Sequence, residues 1–215
     1  MNQHTQNLIA TLKQLPSDWP LIPTKYKKPL GYFWQTRPFT PGQLSQGLIS
    51  NGVTVLDQNQ QPYLVMPTGF GLLTGYPIKG GDKTYYLMAL DQDGTSAYQK
   101  ILELSQGVGL PHTIAFTSGR RGRCQYLFAV RAEDISQLKT RKISTGKDEA
   151  LELRWKGCQS ILPPSLHPFS GQYQWCEGCS ITTNSVAIAP DWLLKLMRLP
   201  TETACQPKFK WVLRT

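Results

Sequence analysis

Apolar and polar positions along this chain follow two periods, and the switches between them set the elements that the sequence predicts. Asn7 to Leu15 reads as a short amphipathic helix ended by Pro16, and the Pro-rich run from Pro20 to Pro29 as an extended strand or loop. Thr40-Pro41 has the form of a helix N-cap followed by Pro at the first helical position, so a helix is expected from Pro41 to about Ser50. Tyr63 to Met66 and Phe70 to Leu73 are strand candidates around a Gly-rich turn. Thr84 to Asp91 is a continuous aromatic and apolar array that predicts a strand. Thr95 or Ser96 then caps a helix running to about Gln106. Two more strands, His112 to Thr117 and Cys124 to Val130, flank the loop Ser118 to Arg123 and complete a β-α-β-β unit.

Further along, a short helix is expected near Glu133 to Leu138, followed by a polar stretch, Lys139 to Asp148, whose four basic residues suggest an exposed loop or a substrate-facing rim. Ala150 to Trp155 returns as a strand, with Leu151, Leu153 and Trp155 on one face and Glu152 and Arg154 on the other. Gln159 to Leu162 and Gln172 to Trp175 suggest a terminal hairpin around Pro163-Pro164-Ser165. Asp191 to Leu199 should close the domain as a helix, and the polar residues 201–215 read as a tail or linker. The organisation expected is α+β: a single domain over 1–200, with an N-terminal module to about residue 80, a core over about 81–180 and a closing helix from about 186.

Composition narrows the function. The chain has 215 residues, enough for one large domain with a proper core, and no apolar run approaches a membrane span or a signal peptide, so a cytoplasmic protein with no membrane partner is expected. A formal charge of +9 and a pI near 9.4 point to a polyanionic partner, for which nucleic acid is the natural candidate. Five cysteines, odd in number and widely spaced, argue against disulfides. Cys176-Glu177-Gly178-Cys179 has the spacing of half a zinc site, and Cys158, His167 or Cys205 could complete it, but a turn with two free thiols is the favoured reading over structural zinc.

The candidate chemistry centres on Leu90-Asp91-Gln92-Asp93-Gly94. On a strand Asp91 and Asp93 point the same way, and two carboxylates on one face call for a cation such as Mg²⁺ or Mn²⁺; the alternative is a surface turn at Asp93-Gly94. Glu152 on a neighbouring strand would supply a third ligand, and three acids can hold two divalent ions for nucleotidyl transfer. The loop Ser118-Gly119-Arg120-Arg121-Gly122-Arg123 offers glycines, a hydroxyl and guanidiniums to a triphosphate, or equally a basic turn to a nucleic-acid backbone.

These residues, taken in order, carry a resemblance. Gly69-Phe70-Gly71-Leu72-Leu73-Thr74-Gly75, Leu90-Asp91-Gln92-Asp93-Gly94, Thr117-Ser118-Gly119, Leu151-Glu152-Leu153-Arg154 and Pro163-Pro164-Ser165-Leu166-His167-Pro168 with Gly171-Gln172-Tyr173-Gln174-Trp175 resemble the bifunctional DNA primase/polymerase (prim-pol) domain of the archaeo-eukaryotic primase superfamily. Trp19-Pro20-Leu21-Ile22-Pro23, Lys27-Lys28-Pro29 and Trp34 look like that family's opening. The resemblance implies an RRM-like catalytic core packed against an N-terminal α/β module with the active cleft between them. It also implies that Asp91 and Asp93 are the first metal motif and Glu152 the third acidic motif, and that Ser118 opens the second motif. That motif normally contains a histidine, where this sequence has Gln125. Glutamine donates a hydrogen bond but carries no charge, so Arg120 and Arg123 are expected to supply it, with His167 as a further nucleotide contact.

The expected activity is therefore that of a DNA primase/polymerase, using two Mg²⁺ or Mn²⁺ ions to join dNTPs or rNTPs to a primer or initiating nucleotide on single-stranded DNA. Lys25, Lys27, Lys28, Trp34 and Arg37 are the expected template-side cluster. The resemblance also implies a setting in plasmid, viral or mobile-element replication and a fused or associated helicase as a possible partner. Two rivals remain at this point: a single-strand-binding module of the same fold without catalysis, and a metal-dependent nuclease that uses water as nucleophile.

Overall fold

The computed structural model describes residues 1–198. Helix α1 (Gln3–Leu12) begins earlier than its apolar spacing suggests, because the Asn2 side chain accepts a hydrogen bond from the Thr5 amide and caps the first turn. Strands β1 (Leu21–Lys25) and β2 (Lys28–Pro29) form a short hairpin. Helix α2 (Pro41–Ile49) starts as expected, since Thr40 and Gln43 form a reciprocal capping box. Strands β3 (Val53–Leu56) and β4 (Pro62–Val65) pair with each other, and β5 (Gly69–Leu73) lies against β1.

The second half opens with β6 (Pro77–Gly80) and the eleven-residue strand β7 (Lys83–Asp93). Helix α3 (Thr95–Leu104) follows, then β8 (Ala115–Thr117) and β9 (Arg123–Arg131). The expected helix near Glu133 is only one 3₁₀ turn, Ala132–Asp134. The polar stretch expected to be an exposed loop or a substrate-facing rim is a strand, β10 (Arg141–Gly146), antiparallel to β11 (Glu149–Arg154); its basic residues mark an edge strand whose outward positions face solvent. The hairpin expected around Pro163-Pro164 is absent. Its first arm, β12 (Gln159–Ile161), pairs with β5, while β13 (Leu166–His167) pairs with β14 (Gly171–Gln172) and β15 (Gln174–Trp175) joins β8. Strand β16 (Ala187–Ile188) runs parallel to β9, and helix α4 (Asp191–Arg198) closes the described residues; Leu199, the 201–215 tail and Cys205 lie outside them.

The described residues thus form a mixed α+β fold with two principal sheets, β12-β5-β1-β2 and the path β10-β11-β7-β9-β8-β15, the latter extended by β6 and β16. One face of the large sheet, bearing Met88, Leu90, Phe128, Leu151 and Leu153, is covered by Ala97 and Ile101 of α3 and Leu193, Leu194 and Met197 of α4. On the other face Leu87, Ala89, Phe116 and Leu127 join Leu8, Leu12, Leu44, Phe70 and Leu72 of the N-terminal module in one core. Among the described residues no helix is long and apolar enough to cross a membrane.

Candidate active site

Strand β7 carries its apolar stripe straight into its acidic one. Because side chains alternate, Leu87, Ala89, Asp91 and Asp93 share a face, and burial loosens at Asp91, where the packing against the N-terminal module ends. Register then builds a row across six strands: Lys142, Glu152, Asp91, Gln125, Phe116 and Trp175 stand opposite one another in turn. Two residues along, Asp93 stands opposite Arg123. The row faces a cavity of about 390 Å³, to which the N-terminal half contributes Lys27 and the returning chain contributes Gln159, His167 and Tyr173.

The three expected carboxylates come to one cavity, and each holds a guanidinium. Arg154 Nη2 lies 2.5 Å from Asp91 Oδ2 and 3.0 Å from Glu152 Oε2, while Arg123 pairs with Asp93. Arg154 Nη1 also donates to the Gln159 carbonyl at 3.0 Å, tying the acidic row to β12. Burial raises the Asp91 carboxyl above the usual aspartate range; Arg154 opposes this, and repulsion from Asp93 and Glu152 reinforces it. Burial likewise works against the Arg154 charge, but Asp91 and Glu152 outweigh it and hold the guanidinium more firmly protonated than usual. Gln125 stands opposite Asp91 and acts to lower its pKa, and its own carbonyl oxygen Oε1 is buried without a partner. Among the described residues no three metal-ligating side chains converge closely enough to hold an ion as they stand.

The turn into α3 is fixed differently from the sequence expectation. Neither Thr95 nor Ser96 caps the helix. Gly94 is the N-cap with φ of 115°, a conformation that favours glycine, and a Cβ there would meet the Glu149 carboxyl. Glu149 accepts from the Ser96 amide at 2.7 Å and from its hydroxyl at 2.6 Å, so β11 caps the helix that follows β7. These bonds hold the Glu149 carboxyl below its ordinary range.

His167 is buried at the cavity wall. Its Nδ1 receives the amides of Phe169 (3.3 Å) and Ser170 (3.1 Å), which leaves the ring proton on Nε2. Ser170 Oγ in turn reaches the Ser118 carbonyl, so His167 also braces the glycine–arginine loop. Burial first, then the nearby Lys27, Arg120 and Arg123, lower its pKa and keep it neutral. Within that loop Ser118 and Arg123 line the cavity, while Gly119 and Arg120 are exposed beside it.

The expected template cluster divides. Lys27 lines the central cavity, Lys25 and Lys28 stand opposite each other at the exposed hairpin end, and Trp34 and Arg37 line a separate pocket. Three site residues escaped the sequence reading: Arg154, Lys142 and Tyr173. Arg154 was legible in the two-residue period that puts it beside Glu152. Lys142 lies in the stretch expected to be an exposed loop or a substrate-facing rim, and it does line the cavity. The cysteines also regroup, as Cys124 Sγ lies 3.5 Å from Cys176 Sγ and Cys179 Sγ lies 3.5 Å from His112 Nε2. The Cys124 hydrogen bond pulls the Cys176 thiol down to about 7. Cys158 and His167 belong instead to the central cavity.

No curated protein matches the chain. The sequence model of the family described as bifunctional DNA primase/polymerase, N-terminal, matches residues 12–192, a span that holds Asp91, Asp93, Glu152, Gln125 and His167 alike. The chain belongs to the Prim-Pol family of bifunctional DNA primases/polymerases.

Proposed function

We propose that this chain performs metal-dependent nucleotidyl transfer, joining nucleoside triphosphates to a primer or initiating nucleotide on a single-stranded DNA template. The observation that carries the reading is the meeting of three carboxylates with Lys27, Arg123, Lys142 and Arg154 in one open cavity. The antiparallel order β11-β7-β9-β8, with α3 crossing between β7 and β8, supports an RRM-like core whose cleft faces the N-terminal module.

Asp91, Asp93 and Glu152 would hold two divalent cations, Mg²⁺ or Mn²⁺, only after their side chains leave the guanidiniums and close on the ions. Their oxygens are hard donors on one face, and their mutual repulsion is relieved by guanidiniums whose positive charge a cation would replace. When bound, such ions lower the pKa of an attacking 3′ hydroxyl and offset charge on the triphosphate. The chain's own groups orient the substrate. Arg123, Lys142 and Lys27 supply charge to phosphate oxygens, the Ser118 turn supplies backbone amides, and neutral His167 presents its Nε2 proton as a donor. In this reading the cations Arg123 and Arg120 take over the charge that Gln125 lacks.

A second reading, a single-strand-binding module without catalysis, is favoured by one observation: Arg154 binds both Asp91 and Glu152, which it would have to yield to a metal. The deciding experiment extends a labelled primer, and tests de novo synthesis on an unprimed strand, with dNTPs or rNTPs and Mg²⁺ or Mn²⁺. Triphosphate-dependent product that Asp91→Ala/Asp93→Ala abolishes supports the proposal. Strand binding without product under either metal establishes the binding module, and shortening of the labelled strand without triphosphates establishes a nuclease.

A further inference from the structure

A second cavity, of about 240 Å³, opens in the N-terminal module between the loop after β2 and strand β3. Leu30, Tyr32, Trp34, Arg37 and Phe39 line it, and no acidic side chain does. The loop that frames it is held in place rather than loose. Gln35 Nε2 donates to the Gly157 carbonyl at 2.9 Å, Tyr76 donates its hydroxyl to the Gln35 carbonyl at 3.0 Å, and the Thr36 and Arg37 amides both return to the Phe33 carbonyl. Phe33 sits at φ of 60°, a conformation that a bulky side chain rarely adopts, with its ring exposed and the Arg37 guanidinium 5.6 Å from the ring centre. Strain of this kind persists where surrounding contacts enforce it, and it gathers at ligand clamps.

The pocket shares no lining residue with the central cavity, but one segment of the chain reaches both. Lys27 lines the central cavity, and the segment from Lys27 to Phe39 carries the wall from there to the second pocket. Two hydrogen bonds fasten this segment to the returning strand: Gln159 Nε2 to the Lys27 carbonyl, and Gln35 to Gly157. The segment is cationic, with Lys27, Lys28 and Arg37 and no acid between Lys27 and Phe39. Aromatic faces beside a guanidinium, in a preformed hollow on a cationic segment, are what an unpaired base on a phosphate backbone requires.

We propose that this second pocket takes an unpaired base of the single-stranded template, stacked on Trp34, with Arg37 on the adjoining phosphate. The inference rests on the strand-binding part of the proposed function and is independent of its chemistry. It assigns the expected template cluster two distinct duties: Lys27 at the reacting end, and Trp34 with Arg37 at a remote hold.

The test is binding of a fluorescein-labelled oligothymidylate at fixed salt, with a fluorescent nucleoside triphosphate titrated separately. Trp34→Ala is expected to weaken oligonucleotide binding about tenfold, Trp34→Phe to restore most of it, and neither to move triphosphate binding. Arg37→Gln should reduce the slope of log affinity against log salt by about one. Wild-type protein crosslinked to an oligonucleotide carrying 5-iododeoxyuridine should be labelled within residues 30–39, which decides the matter even where Trp34→Ala fails to fold. Unchanged affinity in Trp34→Ala, or crosslinks confined to other segments, overturns the pocket assignment. If primer extension yields nothing while the Trp34 effect and the crosslink persist, the catalytic proposal fails and this one stands.

Discussion

The two faces of the large sheet are built by the same strands and do opposite work. On the helical face, Leu90 of β7 and Leu153 of β11 are sealed under α3 and α4; on the other face their sequence neighbours Asp91 and Glu152 hold charge at the edge of a cavity. Burial of apolar surface stabilises the first face, whereas the second gathers like charges whose ionisation burial opposes. The difference teaches that a core position and a charged cavity position can sit one residue apart on a strand, although further along the same strand Leu87 and Ala89 bury the second face as well.

The largest expected effect breaks the charged face alone. Asp91→Asn/Asp93→Asn should cut nucleotide incorporation by about 10³-fold or more, since several kcal/mol of charge stabilisation at the reacting phosphate is lost, while the unfolding midpoint does not fall. Steady-state primer extension beside thermal melting checks both halves. Leu90→Ala, one residue away, should do the reverse. A fully buried leucine lost from the helical core costs about 3 kcal/mol in denaturant unfolding, with turnover of the remaining folded protein little changed.

A third effect separates the faces by pH. The raised pKa of Asp91 means that the folded chain binds this proton more tightly than the unfolded chain does. Its contribution to stability is therefore full below the ordinary aspartate value of 3.8 and is lost as pH rises through the folded value, while activity needs the ionised form. As pH falls into the window just above 3.8, catalysis should fade while wild type gains stability relative to Asp91→Asn; parallel trends would refute this assignment. The smallest effect concerns the joint between the faces. Glu149→Gln weakens the cap on α3 and should lower the melting temperature slightly. This contribution has the opposite sign, present at neutral pH and lost as acid protonates Glu149 below its ordinary range.

Strand β7 was legible because a long apolar run and a two-residue acidic repeat fall within one element, so the same alternation fixes both core and site. The capping box of α2 was legible because its partners are three residues apart. What escaped was set by distant partners. Edge strand β10 is as rich in lysine and arginine as a loop, and only its pairing with β11 distinguishes it. Gln159 to Ile161 looked like half of a local hairpin because nothing in three residues says which sheet will receive them. Arg154 was visible in the alternation, yet its grip on both Asp91 and Glu152 depends on the register between β11 and β7. Cys124 and His112 could not be linked to the Cys176-Cys179 turn without the fold that carries them together.

Strand β12 follows the half that bears Glu152 in the chain, but it is hydrogen-bonded into the sheet of the half that bears Lys27. The halves are therefore sewn together rather than merely apposed. A chimaera that replaced residues up to about 80 with a relative's would inherit a foreign β5 beside a native β12, and would have to match Leu73 to Gln159 and Gly71 to Ile161 across the seam. In this chain no crossover between β5 and Leu162 would keep that pairing native, and the bonds of Ser165 to Phe70 carry the seam further still.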